Sequence, residues 1–153
     1  MAAVELGDYA QENGVKNVAR LNIGGSIEIN GVRLLMTQAV HTDSRGAPTG
    51  VIIQGEGKTV YHAGDTGLFG DMRILGELYK PDVALIPIGG YYTMAVKEAV
   101  EAVKLIKPKA VIPMHYKTFP VLIQSADEFV KDVKEKTPRV RVLVLKPGES
   151  YQF

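Results

Sequence analysis

The periodicity of the chain changes at His62, and that change limits the folds open to it. Before it, short extended runs are separated by tight-turn signals. Ser26-Ile27-Glu28-Ile29 and Val32 to Met36 flank Asn30-Gly31, while Val51 to Gln54 and Thr59 to His62 flank Gly55-Glu56-Gly57. Both Asn and Gly tolerate φ > 0, which a two-residue hairpin requires, so this half reads as antiparallel. After His62 come the tight loop Ala63 to Gly67, a helix over Asp71 to Tyr79 and a short apolar strand, Val83 to Pro87. A helix from Met94 to Ile106, capped by Thr93, precedes the strand Ala110 to Pro113. A last helix opens on the capping-box pattern Ser125-Ala126-Asp127-Glu128 and leads to a strand over Val140 to Leu145. Hairpins followed by β-α-β-α-β indicate an α/β layered domain with its later strands buried under helices. At the amino end, Ala2 to Asn13 reads as a helix stopped by Gly14, and Val18 to Asn22 as a strand. Thr42 to Thr49 reads as a polar loop.

A length of 153 residues fits a single domain spanning 1–153. Composition narrows the chemistry. Zero Cys removes disulfides, thiolate metal sites and Cys nucleophiles together, so a metal must be held by His, Asp or Glu, and there are only 3 His. A net charge of +1 gives no footprint for nucleic acid or for an anionic membrane. No uncharged apolar run approaches the ~20 residues of a membrane span, and Met1 to Asp8 has no leader pattern. These features lead us to expect a cytoplasmic protein.

His41, Asp65 and His115 each follow an apolar strand. Strand ends of α/β folds converge on one rim, where sites are built from successive loops. Two imidazoles and a carboxylate suit Zn²⁺, and equally Mn²⁺ or Fe²⁺. The spacing alone is not specific, because a hydrogen-bonded histidine at a strand end needs no metal. The same holds for Gly64-Asp65-Thr66-Gly67, which an Asx-turn would also explain. Lys117, two residues beyond His115, is placed to meet an anionic group but also reads as a solvated loop residue. Tyr91 and Tyr92 lie on a Gly-rich loop at the same rim and suit either a pocket wall or the edge of the core. Asp43-Ser44 beside His41 is too close in sequence for triad geometry.

Three longer stretches carry a resemblance: His-Ala-Gly-Asp-Thr-Gly (62–67), Pro-Ile-Gly-Gly-Tyr-Tyr-Thr-Met (87–94) and Ile-Pro-Met-His-Tyr-Lys-Thr-Phe-Pro (112–120). Together with Asn22 to Ser26 and Ala39-Val40-His41, they resemble the metallo-β-lactamase-fold hydrolases, in the metal-dependent hydrolase branch akin to the ascorbate-6-phosphate lactonases. The resemblance implies a partial αββα sandwich and a divalent-metal cofactor, Zn or Mn, as one or two ions. It implies hydrolysis of an ester, lactone or phosphodiester-type bond of a small-molecule substrate by a metal-bound hydroxide. By the same resemblance His41 completes the histidine set of a first metal, Asp65 bridges two metals, and His115 serves the second, with Asp65 and His115 the catalytic pair. His62 is assigned to packing or to support of the site.

The early His-x-His-x-Asp-His motif of that superfamily is absent, and with it four ligands. Three ligands imply at best one ion with open positions. The expectations are then a fragment of a longer protein, a chain completed by a second polypeptide or a swapped subunit, or a non-catalytic binding or assembly module. Loss of the hairpins carrying the motif would bare a sheet edge and an apolar face, so homo-oligomerisation is expected.

Overall fold

A computed structural model of the chain describes residues 1–44 and 46–153; Arg45, within the expected loop over 42–49, lies outside them. The elements are β1 (Ala2–Ala3), α1 (Val4–Glu12), β2 (Arg20–Leu21), β3 (Ser26–Ile29), β4 (Val32–Gln38), β5 (Thr49–Gly55) and β6 (Lys58–His62). They continue with α2 (Met72–Tyr79), β7 (Val83–Pro87), α3 (Val96–Ile106), β8 (Ala110–Met114), α4 (Asp127–Lys136) and β9 (Arg141–Val142). β1 and β2 pair with each other, and the other strands form a seven-stranded sheet in sequence order, β3 to β9.

The pairing changes sense where the periodicity does. β3 to β6 are antiparallel neighbours, and β6 to β9 run parallel. β4 therefore points the same way as β6, β7 and β8, and the loops after all four emerge at one edge. The strand–helix alternation after His62 is what makes those strands parallel, since each crossover needs a helix to return the chain.

On one face the registered row Leu35, Ile52, Tyr61, Ala84 and Val111 is buried under the helices. α3 supplies Ala99, Val100, Val103 and Ile106, and α4 supplies Phe129 and Val133, all 0–2% exposed. Each large side chain so buried contributes on the order of 2 kcal/mol.

Two expected caps are not used. α3 begins at Val96 rather than Met94, because Met94 donates its N–H to the Thr66 carbonyl (3.2 Å) and accepts from the Gly90 N–H (2.9 Å). Both backbone groups of Met94 are thus held by the rim loops, and the Thr93 hydroxyl caps nothing. The Ser125 hydroxyl accepts from Asp127 N–H (3.1 Å), a local turn rather than the capping box expected with Glu128. The amino-terminal helix is also shorter than the expected 2–13, since Ala2–Ala3 pairs with Arg20–Leu21 as strand. The last strand likewise shortens to Arg141–Val142.

The opposite sheet face carries two registered rows, Leu34-Ile53-Val60-Val83-Ala110 and Met36-Val51-His62-Leu85-Ile112, apolar except at His62. Since α2, α3 and α4 pack on the other side, Leu34, Val51, Ile53, Val60, Leu85 and Ile112 stay only half-buried. Contiguous apolar surface of this kind associates in water. Sedimentation velocity should show concentration-dependent association that Ile53→Lys with Leu85→Lys suppresses. A wild-type chain that sediments as a monomer at all concentrations and binds no hydrophobic dye would contradict this.

Candidate metal centre

Each of the three expected ligands follows a strand whose carboxyl end reaches the shared edge: His41 after β4, Asp65 after β6 and His115 directly after β8. Asp65 and His115 meet. The His115 Nε2 lies 3.5 Å from Asp65 Oδ2, with the carboxylate side chain 52% exposed and the imidazole 22% exposed. That gap is long for a hydrogen bond. It is close to the roughly 3.3 Å that separates two donors of one tetrahedral ion with bonds near 2.0–2.1 Å.

His41 shares an open pocket of about 390 Å³ with Asp65, lined also by Thr42, Asp43, Pro48 and Thr49. Its Nδ1 sits 2.6 Å from the Thr42 carbonyl. A carbonyl only accepts, so Nδ1 is the donor here, and in the neutral ring this leaves the Nε2 lone pair as the one that can meet a metal. His41 does not join the other two in this conformation: among the described residues, no three His, Cys, Asp or Glu side chains gather closely enough to hold an ion.

His62 is arranged the other way round. Its Nδ1 accepts the Gly64 N–H (3.1 Å), which consumes the lone pair on that side. It stands in the second-face row between Val51 and Leu85. Burial holds its pKa below the ordinary 6.5, against the opposing pull of Asp65. This histidine fixes the start of the Asp65 loop.

Backbone constraints explain the glycines at the rim. Gly64 has φ +67°, and a Cβ there would collide with the Thr49 carbonyl. A Cβ on Gly89 would strike the His115 carbonyl, so the loop after β7 can lie against His115 only because residue 89 is glycine. His115 itself has φ +54°, left-handed backbone that a non-glycine residue adopts at a cost of about 1 kcal/mol or more. Its Nδ1 is buried without a hydrogen-bond partner. Among the described residues, the ring's polar neighbour is therefore the Asp65 carboxylate, on the Nε2 side. Asp65 and His115 fit one divalent cation as a pair, with His41 across the adjoining pocket.

Sequence reasoning passed over Thr66. Fully buried, its hydroxyl accepts the Val40 N–H (2.9 Å) and lies 2.7 Å from the Gly67 carbonyl as donor. Gly67 N–H returns to the Val40 carbonyl (2.8 Å). One threonine therefore locks the His41 strand end to the Asp65 loop, while its own carbonyl holds Met94. A buried side-chain hydroxyl four residues past a strand end carries no distinctive sequence signal. Tyr91 and Tyr92, edge-on at 4.7 Å, are exposed at 77% and 54% and cover no core.

Two outcomes follow. Thr66→Val, which keeps the shape but strands the Val40 N–H, should cost about 2 kcal/mol in urea unfolding; an unchanged midpoint would refute the role. An unfolded His62 takes up its proton first as pH drops below 6.5. Its contribution is thus fully present above 6.5 and lost as pH falls through the lower folded value. Metal-free wild type should therefore lose more stability than His62→Gln between pH 7 and 5, and parallel curves would count against it.

The β-lactamase superfamily domain matches residues 3–116. The chain is 50% identical over 153 residues, all of its length, to a UPF0173 metal-dependent hydrolase of Thermofilum pendens, covering 66% of that protein. It is 48% identical over 157 aligned residues to a homologue in Methanopyrus kandleri, covering 97% of this chain and 68% of the relative. Among solved structures, Igni18, a metallo hydrolase from Ignicoccus hospitalis, superposes with a TM-score of 0.90 at 42% identity, covering 99% of this chain and 67% of that one. The chain thus spans about two thirds of the length of the curated relatives it matches. On these likenesses and on a rim built as described, it belongs to the metallo-β-lactamase superfamily, with the UPF0173 metal-dependent hydrolases.

Proposed function

We propose that this chain supplies part of a divalent-metal centre that hydrolyses an ester, lactone or phosphodiester-type bond of a small molecule. The observation that carries the reading is the Asp65–His115 pair, 3.5 Å apart at the shared edge of β6 and β8. Asp65 and His115 would hold the ion, and His41 would join them through Nε2. A bound divalent ion supplies Lewis acidity toward the scissile oxygen and acidifies a water at neutral pH. The chain's own residues do the rest. Asp65, half-exposed, offsets cationic charge and accepts a hydrogen bond from a water in the opening beside it. The Thr66 and Gly89 contacts keep these side chains from drifting, since positioning errors of about 1 Å are costly to catalysis. In the overall reaction, the water oxygen bonds to the acyl carbon or phosphorus, the C–O or P–O bond breaks, and the leaving oxygen takes a proton.

One observation favours a second reading, a non-catalytic binding or assembly module: no three-donor cluster exists among the described residues. Under either reading, the half-exposed second sheet face is covered in the working assembly, by a second copy or by further polypeptide.

Calorimetric titration with Zn²⁺ and with Mn²⁺ separates the two. The hydrolase reading predicts uptake near one ion per chain, weakened about tenfold or more by Asp65→Asn and by His115→Ala, and less by His41→Ala. No uptake by a folded wild type would establish the module instead.

A further inference from the structure

His115 borders a second cavity, on its far side from the His41 pocket. This opening, of about 690 Å³, is walled by Pro113 to Thr118 on one side and Val144 to Glu149 on the other. Two cations line it, Lys117 and Lys146, and neither has an ion-pair partner among the described residues. The one acid in the wall, Glu149, bonds the backbone rather than either ammonium: its Oε2 accepts the Lys146 backbone N–H (2.9 Å). The Glu149 N–H also bonds the Lys146 carbonyl (2.9 Å), so the two contacts close a turn that fixes where Lys146 starts. Lys117 is held just as firmly. Its backbone is left-handed at φ +63°, and its N–H donates to the Ile123 carbonyl (2.8 Å).

We propose that this cavity is an anion subsite in which Lys117 and Lys146 grip a phosphate or carboxylate borne by the substrate away from its scissile bond. This rests on the hydrolase reading and narrows it to anionic substrates. A lysine ammonium is a point charge with three donors and suits either group. Thr118 adds a hydroxyl on the same wall.

The test uses the folded chain with divalent ions chelated and inorganic phosphate as the probe. Amide resonances of 115–118, 146 and 148 should shift on titration. Lys117→Gln with Lys146→Gln should weaken phosphate binding about tenfold, a loss the control Lys131→Gln with Lys134→Gln on α4 should not show. Acetate titrated in parallel tells the two anion classes apart, and binding of either by the lysine pair supports the subsite. No shift at these amides with either anion, or equal affinity in the double variant and the control, overturns it. Zn²⁺ uptake measured on the same samples keeps the two readings separate. Uptake retained with lysine-independent anion binding sinks the subsite alone, while lysine-dependent anion binding without metal uptake sinks the hydrolase reading and leaves the cavity an anion site.

Discussion

The register of three parallel strands sets everything at the rim. His62 pairs with Leu85, Leu85 with Ile112, and Pro87 with Met114, so the chain leaves β6, β7 and β8 at nearly the same level. A slip of one residue in β8 would turn His115 toward the other face of the sheet and separate it from Asp65. The register is held by the buried row from Leu35 to Val111, whose β8 member, Val111, would be pushed to the half-open face by the same slip. Core packing and site geometry are therefore one constraint.

The rim adds local devices to that frame. Thr66 bonds the strand end before His41, Gly89 lets the β7 loop approach His115, and His62 ties down the Asp65 loop through Gly64 N–H. Left-handed backbone occurs at the rim at Tyr91, His115 and Lys117, as it does away from it at Asn30, Glu56, Lys80 and Lys107. Such conformations persist only where the surroundings over-determine them, and at the rim the surroundings are those loop contacts. Behind the rim, α2, α3 and α4 pack on one face of the sheet, while the mostly apolar second face stays half-exposed at Leu34, Val51, Ile53, Val60, Leu85 and Ile112. A sheet face left open in this way is a layer awaiting another layer.

Much of this was legible from residues alone. Asn30-Gly31 and Gly55-Glu56-Gly57 marked the hairpins, and the strand–helix alternation after His62 implied parallel strands and a common edge. That is why His41, Asp65 and His115 stood out without knowledge of their separation. What stayed hidden depends on long-range contacts. The failure of Thr93 as a cap comes from Met94 bonding to Thr66, twenty-eight positions earlier in the chain. Lys146 is invisible as a partner of Lys117 until β9 runs beside β8. The mostly apolar two-row face emerges only when registers are added across five strands, since each strand alone gives those rows just one or two apolar residues.

The central claim is that Asp65 and His115 present one cation site at the sheet edge. The most direct measurement is paramagnetic broadening of backbone amides by sub-stoichiometric Mn²⁺. The account predicts selective loss of signals from 64–67 and 115–117, with weaker effects at 41–43, and none around the acidic first turn of α4 at Asp127 and Glu128. Broadening centred on α4, or spread evenly over the surface carboxylates, would contradict it.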